Sequence, residues 1–141
     1  MVVVDRSALV AHPAAMMYGL VADIEAYPSF LPWCSGADIV SREPGRTVAT
    51  LHVNYHGVRQ NFTTENLESA GDRIDIRLVS GPFRHLQGHW TFAPLGAEAS
   101  KVSLRLEYQL SNGLLDRMIG PVFGHMANTF VDAFVRRADA A

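Results

Sequence analysis

Residues 102–110 read VSLRLEYQL, and residues 112–134, one serine later, read NGLLDRMIGPVFGHMANTFVDAF. In the first string Val102, Leu104, Leu106, Tyr108 and Leu110 alternate with Ser103, Arg105, Glu107 and Gln109. A period of two marks an antiparallel strand with one buried and one wet face. In the second, Leu115, Met118, Ile119, Val122, Phe123, Met126, Phe130, Ala133 and Phe134 recur at helical spacing. Asn112-Gly113 punctuates the change of period. A helix running to about Ala138 has roughly 26 residues and spans about 39 Å. Gly120-Pro121 is expected to kink it near its start.

The period of two recurs upstream. Ala49, Leu51, Val53 and Tyr55 alternate with Thr50, His52, Asn54 and His56. Ile74, Ile76 and Leu78 form a second such set, and Leu86, Gly88, Trp90 and Phe92 a third. Pro44-Gly45, His56-Gly57, Gly71-Asp72, Gly81-Pro82 and Pro94-Leu95-Gly96 separate them as turns. Val2–Val10 is apolar and β-branched, a first strand. His12-Pro13 then opens a helix with Met17, Leu20, Val21 and Ile24 on one face, which must end before Pro28. These elements predict an α+β chain in a helix-grip arrangement: a curved antiparallel sheet of about seven strands wrapped around a long C-terminal helix. One or two short helices follow strand 1. A sheet curved around one helix is expected to leave an elongated apolar cavity.

The chain has 141 residues and is expected to form one domain, 1–141. Hydrophobic residues make up 48% and charged ones 18%, a balance that excludes a disordered chain. The net charge of −2 provides no global attraction to nucleic acid, so phosphate contact would have to be local. Cys34 is the only cysteine and has no intramolecular disulfide partner. Neither a signal peptide nor a transmembrane segment is expected, which places the protein in the cytoplasm.

Chemistry-bearing patterns are sparse. His52 and His56, like His85 and His89, lie four apart on strands, roughly 13 Å from each other and too far to share a metal. Cys34 sits in an apolar segment and reads as a packed hydrophobe. No paired carboxylates, phosphate loop or nucleophile triad stands out, so no catalytic residue, metal or required cofactor is expected. Tyr55, Trp90 and Tyr108 instead combine inward positions with polar tips, the make-up of a satisfied core or of a small-molecule site. Phe62, Leu78, Phe83, Phe92 and Leu106 share those inward faces, and Met118, Val122, Met126 and Phe130 supply the helix wall. The segment YPSFLPWCSG at 27–36 holds two prolines yet is strongly apolar. It is expected to cover one end of the cavity, with Phe30, Leu31 and Trp33 pointing inward.

YPSFLPWC after the first helix, SGPFRHLQGHWTF at 80–92 and NTFVDAFVRRA at 128–138 occur together and in order. In these strings the chain resembles the coenzyme Q-binding protein and RatA family of the START-like, polyketide-cyclase-like superfamily, over nearly its whole length. TTENL at 63–67 fits both branches. The resemblance implies a START-like fold and three alternatives for function. Mitochondrial members bind ubiquinone and support respiration, so bound ubiquinone or a related lipid is the leading expectation, without catalysis. RatA-like members are toxins that associate with the large ribosomal subunit and block 70S formation; Arg59, Arg84, Arg136 and Arg137 are then the candidate phosphate contacts. Others carry the label of oligoketide cyclase or lipid transport protein. The expected partners are accordingly a hydrophobic small molecule, the large ribosomal subunit, and a membrane surface touched only peripherally.

Overall fold

The computed structural model describes residues 1–141. Strand β1 (Val2–Val10) leads into helix α1 (Ala14–Ala22) and a 3₁₀ turn (Ile24–Ser29). Six strands follow: β2 (Cys34–Glu43), β3 (Arg46–Tyr55), β4 (Val58–Ser69), β5 (Arg73–Ser80), β6 (Phe83–Pro94) and β7 (Ser100–Leu110). Helix α2 (Gly113–Asp139) closes the chain. The strands form one antiparallel sheet in the order β1-β7-β6-β5-β4-β3-β2. Consecutive strands pair as hairpins, and β1 joins the far side of β7, with Val4 opposite Leu106.

Local chemistry accounts for the ends of α2. The Asn112 side chain accepts a hydrogen bond from the Leu115 amide at 2.9 Å, satisfying one free donor of the first turn. Arg136 and Arg137 lie in the last turn, where cations complement the helix dipole. The helix continues through Pro121, as a single element of 27 residues. Its buried stripe is Ile119, Phe123, Met126, Ala127, Val131 and Phe134. Met118, expected on this stripe, is 64% exposed. One residue turns a helix by about 100°, so burying Ile119 swings its neighbour into solvent.

The first helix is shorter than its apolar pattern suggests. It stops at Ala22, and Ile24 is carried instead by the 3₁₀ turn, which contains Pro28. That turn is tied back by the Tyr27 hydroxyl, which donates to the Val21 carbonyl at 2.5 Å. Burial pushes the Tyr27 pKa far up, so the phenol stays neutral.

Two features of the sheet shape the interior. Asn66, Ile76, Gly88 and Leu106 stand opposite one another in a row across β4, β5, β6 and β7. Gly88 contributes no side chain to that row, because a Cβ there would lie 2.4 Å from the Arg105 carbonyl oxygen. The second feature is a seam: β5 and β6 pair only from Arg73–Arg77 to Gln87–Thr91. Beyond it the two strands are held by their outer neighbours, β4 and β7, each with a register shift.

Candidate functional site: a cavity between two aromatic clusters

Aromatic side chains fill most of the space between sheet and helix. At the α2 C-terminal side Tyr27, Phe30, Trp90, Phe130 and Phe134 form edge-to-face pairs with centroids 5.3–6.1 Å apart, while Phe130 lies tilted against Phe134 at 5.2 Å and Trp33 against Phe130 at 5.7 Å. At the other side Phe83 packs on Phe62, Tyr108 and Phe123 at 5.7, 6.1 and 5.0 Å. Such pairs add to the apolar area they bury. Between the clusters lies a cavity of about 90 Å³.

Of the residues expected to line it, Trp33, Phe62, Phe83, Trp90, Leu106, Tyr108, Met126 and Phe130 do so. The others lie elsewhere. Phe30 and Leu31 belong to the core behind the wall, because the 3₁₀ turn directs Phe30 onto Phe134 and under Arg137. Phe92 is stacked on Trp90 and capped by Tyr18 of α1 at 5.5 Å. Tyr55 sits at a hairpin end, stacked 5.9 Å from the His125 ring on the outside of α2. Leu78 lies past the point where β5 and β6 part, and Val122 and Met118 lie off the buried stripe of α2.

The wall also contains residues that the alternation of apolar side chains did not reveal, chiefly Thr64 and Asn66. They follow Phe62 at intervals of two on β4 and face inward with it, but as polar residues they add nothing to a hydrophobic pattern. Tyr27, Ile76, Leu86 and Phe123 complete much of the lining. The Thr64 hydroxyl donates to Asn66 Oδ1 at 3.2 Å. Burial, with Asp116 as a second cause, raises the Tyr108 pKa and keeps its hydroxyl protonated.

The histidines stay apart: His52 bonds Asp38 at 2.6 Å, and His85 stands 3.9 Å from Glu107. No group of three potential ligands gathers for a metal. Cys34 is buried, its thiol donates to the Gly36 carbonyl at 3.3 Å, and burial raises its pKa, which disfavours the thiolate.

A seven-stranded sheet gripping one long helix around an apolar cavity defines a START-like protein. The chain belongs to the polyketide cyclase/dehydrase and lipid transport family, whose pattern its residues 10–135 match. It is 42% identical over 135 residues to the ribosome association toxin RatA of Vibrio cholerae serotype O1, covering 96% of this chain and 94% of that one. Against RatA of Escherichia coli K12 the identity is 39%, covering 96% and 85%. A coenzyme Q-binding protein COQ10 homolog B, mitochondrial, of Xenopus laevis is more distant, at 26% over 94% of this chain and 53% of its own. Among solved structures, the Zhui aromatase/cyclase of Streptomyces sp. R1128 superposes with a TM-score of 0.85 at 21% identity, covering 98% and 93%. At that identity the likeness speaks for the fold alone. No helix is long and apolar enough to cross a membrane.

Proposed function

We propose that this protein associates with the ribosome, and that it acts by binding rather than by turnover. The observation that carries the reading is the 39–42% identity to proteins named as ribosome association toxins, sustained over 96% of the chain. The expectation of a bound quinone as the main role gives way to it. The interior supports this order, because small-molecule sites commonly measure about 300–1,000 Å³. A cavity of about 90 Å³ is too small for a ring with an isoprenoid tail unless the walls part.

The surface supplies what a phosphate-rich partner needs. Carboxylates pair with Arg42, Arg46, Arg73, Arg77 and Arg105. Arg59, Lys101, Arg117 and Arg136 are exposed and engage no acidic group, so their charges are available. Sucrose-gradient sedimentation of lysates, at native and raised protein levels, tests the proposal. Co-migration with a ribosomal subunit and a falling 70S peak are expected; unchanged peaks without co-migration would overturn it.

A second reading concerns the interior, and the specific observation favouring it is the lining: apart from Thr64 and Asn66 the wall is made of apolar and aromatic side chains. In this reading the cavity holds a small hydrophobic molecule while the outer surface meets the ribosome. Native mass spectrometry of protein purified from its own host, followed by extraction, checks it. Consistently empty protein that also takes up no added hydrophobic compound would count against it.

A further inference from the structure

One end of the molecule differs from the rest in both charge and polarity. The start of β1, the β3–β4 turn, the β5–β6 turn and the first turns of α2 meet there. Val2 pairs with Tyr108, Tyr55 stacks on His125 of α2, and the Ser111 amide donates to the Pro82 carbonyl at 3.0 Å. Residues 1–3, 54–62, 78–86 and 109–121 make up this end. They contain Arg59, Arg84 and Arg117 but a single acid, Asp116. Arg84 keeps its charge while donating to the Ser111 carbonyl. Glu107, one step back, is paired with Arg105 at 3.3 Å. The whole chain carries −2, so with +2 here the remainder carries −4.

The same end exposes aliphatic side chains. Val79 is 55% exposed, Leu114 66% and Met118 64%. Leu114, Met118 and Pro121 follow at intervals of four and three, which sets them on one stripe of α2, with Arg117 beside it. A helix face turned to water is ordinarily polar, and further along α2 it is: every exposed position from His125 to Asp139 is polar. Only the first turns break the rule. An exposed apolar patch of this kind marks a surface that meets something.

We infer that this end docks on the surface of an anionic lipid bilayer. Aliphatic side chains neither stack on bases nor bond phosphate oxygens, so an RNA surface would leave Val79, Leu114 and Met118 unused. The boundary between headgroups and acyl chains buries such side chains, and anionic headgroups attract the arginines that flank them. The −4 on the remainder is repelled by the same headgroups. Because the field of the leaflet is screened within about 8 Å, the charges of the touching end decide the contact, and a single orientation results. The ribosome reading stands apart from this one. Two of the free cations it draws on lie elsewhere: Lys101 is paired with Leu9 at the far end of β1, and Arg136 is in the last turn of α2.

Flotation of the full chain with lipid vesicles tests the inference. Vesicles of phosphatidylcholine and phosphatidylglycerol are expected to bind the protein at least about tenfold more tightly than pure phosphatidylcholine. Arg59→Gln combined with Arg117→Gln should weaken binding to the charged vesicles by about tenfold or more, since each arginine near an anionic leaflet contributes about fivefold. Leu114→Ser combined with Met118→Ser should weaken it on a similar scale. Leu9→Ser combined with Leu95→Ser removes equally exposed aliphatic groups from the opposite end and should change nothing. All these side chains are exposed, and circular dichroism checks that each variant is folded. Protein that never floats, that floats equally well on neutral vesicles, or that floats undiminished in the Leu114 and Met118 variant would overturn the inference. Sedimentation of the same variants with ribosomal subunits separates the two readings. If the parent protein ignores vesicles and the Leu114 and Met118 variant loses co-migration with a subunit, the end faces the ribosome and the bilayer inference falls.

Discussion

The guanidinium carbon of Arg137 lies 5.1 Å from the centroid of the Phe30 ring. The last turn of α2 is thereby strapped to the turn that contains Pro28, across the end of the aromatic cluster formed with Phe134. A cation over an aromatic face at a partly exposed site contributes about 0.5–1 kcal/mol. Arg137→Ala is expected to lower stability by about that amount, or about 2–4 °C in Tm for a chain of this size. A double-mutant cycle with Phe30→Leu isolates the pair; a coupling of zero would show that the two residues merely sit together. Of the candidate phosphate contacts, Arg137 and Arg84, which donates to the Ser111 carbonyl at 3.1 Å, are already engaged with other groups of the protein.

Trp33→Ala probes the segment 27–36. Trp33 lines the cavity but is also buried against Phe130, and truncating such a residue costs about 3–5 kcal/mol. That is a large part of the 5–15 kcal/mol that holds a domain together. Urea unfolding should therefore show a stability loss of that order, making the segment part of the core. A loss below about 1 kcal/mol would instead identify a detachable cover.

Gly88→Ala should be among the most damaging single-methyl changes in the chain. The added Cβ would fall 2.4 Å from a backbone oxygen of β7 and within 3.0 Å of the Leu106 Cα, and backbone cannot turn aside as a side chain can. Overpacking of this type costs about 1–3 kcal/mol or more. Thermal unfolding of the variant measures it, and a change below about 0.5 kcal/mol would mean that β6 and β7 separate easily at this point.

Glu65 supplies a pH test. Its carboxylate accepts from Arg46 at 2.6 Å and from Arg77, and these hydrogen bonds hold its pKa below the usual carboxylate range. A carboxyl depressed in the folded state contributes stability that is fully present above its unfolded value of about 4.3. The contribution fades as pH falls from there through the folded value. Chemical unfolding from pH 7 down to pH 3 should thus show a smaller loss of stability in Glu65→Gln than in the parent protein. Parallel curves would mean that the two arginines do not hold the charge.

The strands and α2 were legible in the sequence because their signals are local. Val102–Leu110 alternates without a fault, and Phe123, Met126, Phe130 and Phe134 repeat every three or four residues. Membership of the cavity wall was less legible. Phe30 and Phe92 are apolar and inward, but a 3₁₀ turn and the placement of α1 decide what lies over them, and neither leaves a mark in periodicity. Thr64 and Asn66 were hidden for the opposite reason. They share the inward face of Phe62, yet a polar residue facing a cavity looks in sequence like one facing water. Met118 shows the sharpest limit, since stepping one residue along a helix exchanges core for solvent.

The seam at the β5–β6 hairpin bears on how the interior yields under load. Lifting α2 would strip Phe123, Phe130 and Phe134 from their ring contacts at once, a stiff mode of deformation. Spreading residues 78–80 from 83–86 breaks no rung between the two strands, because their ladder ends at Arg77 and Gln87. Ile76, Phe83 and Leu86, on either side of that opening, belong to the cavity wall. The sheet is thus the more compliant wall at this end, and widening the chamber would break fewest contacts at the hairpin.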